Sequence, residues 1–293
     1  MGLIELLKTQ EAAFLTVVGL LGLMVGSFLN VVIHRLPIML ERGWRAECRA
    51  FLGEDAAEDD TAEPYNLVVP RSRCPACGKL VKAAENIPVI SYLVLRGRCS
   101  GCGAGISARY PAVELLTALL SVAVAWKFGV SWQTTAGLVL TWSLVALSCI
   151  DIDRQILPDA ISLPVLWLGL VLSVFGLFVD SSTSILGAAF GYLSLWSVFH
   201  LFKLATGKEG MGYGDLKLLA LLGAWLGWSK LPTIILLSSL VGAVIGLAMV
   251  LLLRHDRRVP IPFGPYLAAA GWIALIWGDA INSAYLSFAG IPG

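Results

Sequence analysis

The sequence predicts an all-α polytopic membrane protein of about eight transmembrane helices, interrupted by one hydrophilic loop domain. Three observations predict it. Of the 293 residues, 57% are hydrophobic and 14% charged, against about 45–50% and about 25% in soluble domains. The apolar residues gather in runs near the roughly 20 needed to cross a bilayer. The basic residues gather between alternate runs. A net charge of +1 gives no global field to draw nucleic acid, and none is expected as a partner.

The apolar runs fall at about 12–33, 111–127, 132–150, 160–179, 184–202, 215–229, 232–253 and 264–288. The first is too long for a signal peptide and lacks a small-residue cleavage site, so it reads as a permanent anchor. Placing the segment after it in the cytoplasm makes 34–110, 151–159, 203–215 and 254–263 the inside loops. All 21 Lys and Arg except Lys8, Lys127 and Lys230 lie in these loops or their flanks. That bias puts both termini outside. The domain reading is therefore a first transmembrane helix (1–33), a cytoplasmic loop domain (34–110) and a seven-helix transmembrane domain (111–293).

Within the loop domain, the acidic 54–63 stretch reads as a mobile surface loop. The part from 70 to 110 is basic and holds Cys74-Pro-Ala-Cys77 and Cys99-Ser-Gly-Cys102, with 21 residues between the pairs. Two C-x-x-C pairs, each followed by glycine (Gly78, Gly103), match a tetrahedral four-cysteine zinc site. Four thiolates leave no open position for water, so the expected zinc is structural, one per chain. Cys48 and Cys149 read as packing residues.

Acids in membrane spans are costly and therefore informative. Asp151, Asp153 and Asp159 follow the third run, Asp215 opens the sixth, and Glu114 lies inside the second. Asp180 and Asp279 fall toward the outer face. The topology puts Asp151 and Asp215 at the same face. Two carboxylates brought together share a proton, so one can act as general base on a water and the other as general acid on an amide. Gly210, Gly212 and Gly214 free the backbone before Asp215, for close approach to a peptide or for a φ > 0 turn. The other reading makes these interfacial acids partners of Arg154 and Lys217. Lys217 could also tune the pair by charge. Ser27, Asn30 and His34 form one polar stripe on the first helix. It reads as interhelical hydrogen bonding, with a wall of a substrate or methyl-donor site as the alternative.

The motifs resemble those of the bacterial type IV prepilin leader peptidases, a G-x-G-D family of membrane aspartic proteases. G-S-F-L-N-V-V-I-H-R-L-P at 26–37, the cysteine pairs, E-N-I-P-V-I-S-Y-L-V-L-R-G-R-C at 85–99, I-S-A-R-Y-P-A-V-E at 106–114, D-I-D-R-Q-I-L-P-D at 151–159 and G-Y-G-D-L-K at 212–217 carry the resemblance. It implies cleavage of a basic leader from type IV prepilins or type II secretion pseudopilins at the cytoplasmic face of the inner membrane. It also implies N-methylation of the new N-terminus with S-adenosylmethionine. It assigns catalysis to Asp151 and Asp215, with Asp153 as the nearest competitor for the first place. Gly212, Gly214, Lys217 and Glu114 are supporting candidates. No Gly-rich turn of the common methyltransferase type is legible, so the transferase activity rests on the resemblance alone. The competing readings are a transporter using intramembrane acids and a non-catalytic assembly factor that docks through its zinc loop.

Overall fold

A computed structural model describes residues 9–53, 64–208, 210–252 and 261–288. The acidic 54–63 stretch lies outside the described residues. Among the described residues the chain is helical and contains no β-strand beyond two isolated bridges. Contacts divide it into two compact units, Met1–Val130 and Ser131–Gly293.

The first unit is built on two long helices, α1 (Glu11–Leu52) and α3 (Arg109–Phe128). Helix α1 does not end near residue 33 with its apolar run. It continues through Pro37 for 42 residues, to an αL cap at Gly53. At 1.5 Å per residue that is about 63 Å, roughly twice the hydrocarbon thickness. The extension is anchored by Arg35, which is buried and donates to the carbonyls of Asn66 (2.9 Å) and Pro70 (2.6 Å). Tyr65 lies 4.5 Å from the Arg42 guanidinium in a cation–π contact. Small residues let α1 and α3 approach closely: a Cβ at Gly22 would lie 2.7 Å from Ala118 Cα, and one at Gly26 2.7 Å from Glu114 Cα. Between the helices the chain forms the two cysteine turns and a short helix, α2 (Ile90–Val94).

The second unit contains α4 (Trp132–Arg154), α5 (Asp159–Val174), α6 (Ser181–Thr206), α7 (Tyr213–Leu226), α8 (Leu231–Leu252) and α9 (Gly264–Phe288). Ser131 caps α4 by accepting from the Thr134 N–H, and Asp180 caps α6 by accepting from the Thr183 N–H. Helix α7 is the centre. From Asp215 to Leu226 every residue but Lys217 is buried. Its neighbours reach it through glycines and polar clasps. Gly187 and Gly191 of α6 lie against the α7 backbone, and a Cβ at Gly191 would sit 2.6 Å from Leu219 O. Ser184 donates to Ala224 O at 2.6 Å, and Trp225 Nε1 donates to Val165 O of α5 at 2.8 Å. Gly271 of α9 receives the Leu222 side chain.

Among the described residues five helices, α1, α3, α4, α6 and α8, are long and apolar enough to cross a membrane. Helix α5 is apolar but has 16 residues, and α7 has 14. The structure thus carries five of the eight expected spans on length and composition, and the chain is a multi-pass membrane protein. The close α6–α7 contact yields the first test. Gly191→Leu forces a side chain into the α7 backbone and is expected to cost about 1–3 kcal/mol or more. Thermal unfolding in detergent should show a lower midpoint; an unchanged midpoint would contradict this packing.

Candidate active site and metal centre

Asp151 lies in the last turn of α4, which ends because Gln155 turns into the αL region at φ 54°. Its side chain points inward and is 5% exposed, while Asp153, two residues on, faces outward. Asp215 lies in the first turn of α7 and is 8% exposed. The two carboxylates are near enough to interact electrostatically. The structure therefore brings together the two acids singled out from the sequence, and separates Asp153 from them by its facing.

Gly264, the first residue of α9, completes the arrangement. Its N–H donates to Asp151 Oδ2 at 3.1 Å, and a Cβ there would lie 2.6 Å from that oxygen. Only a residue without a side chain admits the carboxylate so close to the backbone. Sequence reasoning missed this residue. The available signal was Pro262-Phe263-Gly264-Pro265 at the start of the last apolar run, a glycine between prolines where a helix opens.

The supporting candidates divide. Gly214 permits close approach: a Cβ there would meet Leu157 Cβ at 2.9 Å. Gly212 is the extended residue before α7, at φ −84°, with no crowding that would require glycine. Gly212 and Gly214 do not take the positive φ that was one of the two uses open to these glycines; close approach, the other, is met at Gly214. Lys217 donates to both Asp159 oxygens at 2.7 Å. The lysine thus pairs with Asp159, and the buried acids have another environment.

Glu114 belongs to the first unit. It is 8% exposed and accepts from the Val89 N–H at 2.7 Å and from the Ser27 hydroxyl. Asn30 donates to Tyr110 O at 3.1 Å. Two members of the polar stripe on α1 therefore bond to α3, as interhelical hydrogen bonding predicts, while His34 is exposed.

Cys74, Cys77, Cys99 and Cys102 converge with all four Sγ atoms within 4.8 Å of one another. Cys74 and Cys102 are 3.9 Å apart, and Cys77 and Cys99 are 4.0 Å apart. A tetrahedral zinc with 2.3 Å arms has sulfur–sulfur edges of about 3.8 Å, so the cluster has the dimensions of a metal site. Each cysteine pair sits on the same turn. Gly78 N–H donates to Cys74 O and Gly103 N–H to Cys99 O, both at 2.9 Å, and both glycines hold φ 72°. The Gly101 N–H donates to Cys99 Sγ and brings its thiol down to about 6, while the neighbouring thiols push Cys102 up to about 11, so without a cation the crowded thiols resist ionising together. Glu85 ties the turns together: it accepts from Ser100 Oγ in the second turn at 2.5 Å and from Lys79 Nζ, next to the first, at 3.4 Å. With the Ser100 bond foremost, these partners hold its carboxyl at about 2. A depressed pKa means that this contribution is full above the ordinary carboxylate range and is lost only as pH falls toward 2.

A buried carboxylate pair where helix ends meet, inside an all-α membrane protein, defines the class of site. Comparison gives the family. Residues 20–128 match the bacterial peptidase A24 N-terminal domain, and residues 138–247 match the type IV leader peptidase family. The chain is 59% identical over 290 residues to a prepilin leader peptidase/N-methyltransferase of Pseudomonas aeruginosa, covering 99% of each chain. It is 58% identical to that of Aeromonas salmonicida, over 97% of this chain and 98% of the relative. It is 50% identical to that of Dichelobacter nodosus, over 96% and 97%. No solved structure matches. The chain belongs to the type IV leader peptidase family.

Metal analysis of the purified chain should find one ion per chain, and Glu85→Ala should weaken its retention about tenfold against a chelator. A folded protein without metal, or unaltered retention in the variant, would contradict the cluster as described.

Proposed function

We propose that the chain is a bifunctional membrane enzyme. It removes the leader peptide from prepilins or pseudopilins by an aspartyl dyad, and it N-methylates the residue exposed by the cut. The observation that carries the peptidase reading is the meeting of Asp151 and Asp215, two buried acids from different helices, with Gly264 N–H fixing one of them. Family membership favours this reading over a transporter or a non-catalytic assembly factor.

The two carboxylates titrate as a unit and hold one proton between them. The ionised member takes a proton from water as its oxygen attacks the scissile carbonyl. The protonated member donates to the substrate, and collapse of the tetrahedral adduct breaks the C–N bond with the proton passing to the leaving amine. The products are the leader's carboxylate end and a free amine. Gly214 and Gly264 keep the backbone close around the acids, and Gly264 orients Asp151.

The proposed topology has eight spans, α1 and α3 to α9. At 14 residues α7 rises about 21 Å, less than a hydrocarbon core of about 30 Å. Its burial among other helices makes that length tolerable. The short helix leaves Asp215 near one interface, where a substrate helix lying in the bilayer can present its leader junction. The distribution of Lys and Arg makes that interface cytoplasmic, in the inner membrane of a bacterium. The four cysteines are the zinc ligands, and zinc there supplies structure to a segment with little apolar core. S-adenosylmethionine is the proposed methyl donor. No strand, and so no strand–turn–helix of the common methyltransferase type, occurs among the described residues.

Incubation with a prepilin tests the dyad. Asp151→Asn and Asp215→Asn should each lower cleavage by about 10²–10⁴-fold or more while metal content is kept. Asp153→Asn should cleave normally. Wild-type cleavage by either of the first two, or loss with Asp153→Asn alone, would overturn the assignment. Gly264→Ala should slow cleavage about tenfold or more by displacing Asp151; an unaffected rate would show that the backbone contact is dispensable.

A further inference from the structure

The first unit exposes an apolar face that neither the metal cluster nor the helix pair explains. On and before the short helix α2, Ile87, Ile90, Leu93 and Val94 are 45%, 58%, 67% and 74% exposed. Arg96 and Arg98 follow directly and are also exposed. Such a group in water is unfavourable, because about four large aliphatic side chains forgo burial together.

One hydrogen bond ties this face to helix α3. Val89 is a β-branched residue at φ 59°, ψ −47°, and the Ile90 N–H donates across it to Pro88 O at 2.5 Å. That is the strained form of the γ-turn, which needs surroundings that enforce it. The enforcing group is Glu114, which takes the Val89 N–H at 2.7 Å. Glu114 stands five residues into α3, about 7–8 Å along the axis from Arg109 at its start. Helix α3 is one of the membrane-capable helices, with Leu115, Leu116 and Leu119 exposed beyond Glu114 and Tyr110 exposed before it. Arg109 and Tyr110 are the residue types that mark the headgroup level. A backbone tied to Glu114 therefore lies at or below that level.

We propose that residues 87–98 form a wedge that dips Ile90, Leu93 and Val94 into the acyl boundary of the bilayer, with Arg96 and Arg98 on anionic headgroups. The occupant of the face is lipid. Two features commit it: the Glu114 hydrogen bond ties the segment to a membrane-capable helix, and the adjoining charge is positive, as an anionic leaflet requires. The wedge seats the cysteine turns against the membrane surface, since Cys99 directly follows Arg98.

The test uses the full chain, loaded with metal, in nanodiscs of phosphatidylcholine and phosphatidylglycerol with brominated acyl chains. A fluorophore is attached through a genetically encoded azide at Leu93, or at Ala76 in the first cysteine turn as a comparison. Bromine should at least about halve the emission at Leu93 and leave Ala76 unchanged. Glu114→Ala should reduce the quenching at Leu93 with the metal retained. Emission at Leu93 unaffected by bromine, or equal quenching at both positions, would overturn the wedge. So would a Leu93 probe that bromine leaves alone but an added prepilin shields, because the face would then belong to a peptide. Unchanged quenching in Glu114→Ala would overturn the clasp.

Discussion

Helix α7 is covered on nearly every side, and that burial decides what its neighbours must be. A helix so enclosed must meet other helices at short range, which large side chains on both partners would prevent. The structure meets the requirement with Gly187 and Gly191 on α6, Gly169 on α5 and Gly271 on α9. Lipid tails are as apolar as leucine, so close van der Waals contact and interhelical hydrogen bonds hold such helices together. Ser184 and Trp225 supply those bonds without leaving a donor unmet. The same enclosure holds Asp215, in the N-terminal turn of α7, within electrostatic range of Asp151 in the C-terminal turn of α4. Two costly buried acids are tolerable there because the helix ends offer backbone donors, of which Gly264 N–H is the one that reaches Asp151.

The first unit solves a different problem with related means. Its loop segment has little core, so it is fastened at separate points. The four thiols gather the two cysteine turns, Glu85 bridges them, Arg35 grips the backbone at Asn66 and Pro70, and Glu114 grips it at Val89. Glu114 and Arg35 are buried charged residues that project from long helices toward backbone groups. Such groups are retained where they fix a geometry, and each here fixes the position of a segment that packing alone would leave free.

Legibility in the sequence followed the chemistry. Asp151, Asp215 and the four cysteines stood out as candidates because acids are costly in an apolar chain and paired C-x-x-C spacings suit a metal, and the structure buries the two acids and gathers the four thiols. The last helix begins at Gly264, where the apolar run also begins. The extension of α1 to Leu52 was not legible, since Pro37 and the charges after it read as the end of an element; helix and membrane span are different things, and the helix outlasts the apolar run. The role of Gly264 was not legible either, because it depends on a contact 113 residues away in sequence. The partner of Lys217 is Asp159, 58 residues away, and not Asp215, two residues before it in sequence. The G-x-x-x-G spacings at 22–26 and 187–191 were present in the sequence and each carries a close approach to a neighbouring helix backbone, one in each unit.

The central claim is that Asp151 and Asp215 act as one catalytic unit. Its most direct test is a double-mutant comparison of cleavage rates for Asp151→Asn, Asp215→Asn and the combined variant, on one prepilin under one set of conditions. Groups that act as a unit lose their effect together. The account predicts that the combined variant is no slower than either single variant. Losses that multiply would mean that the two acids contribute independently, and would contradict it.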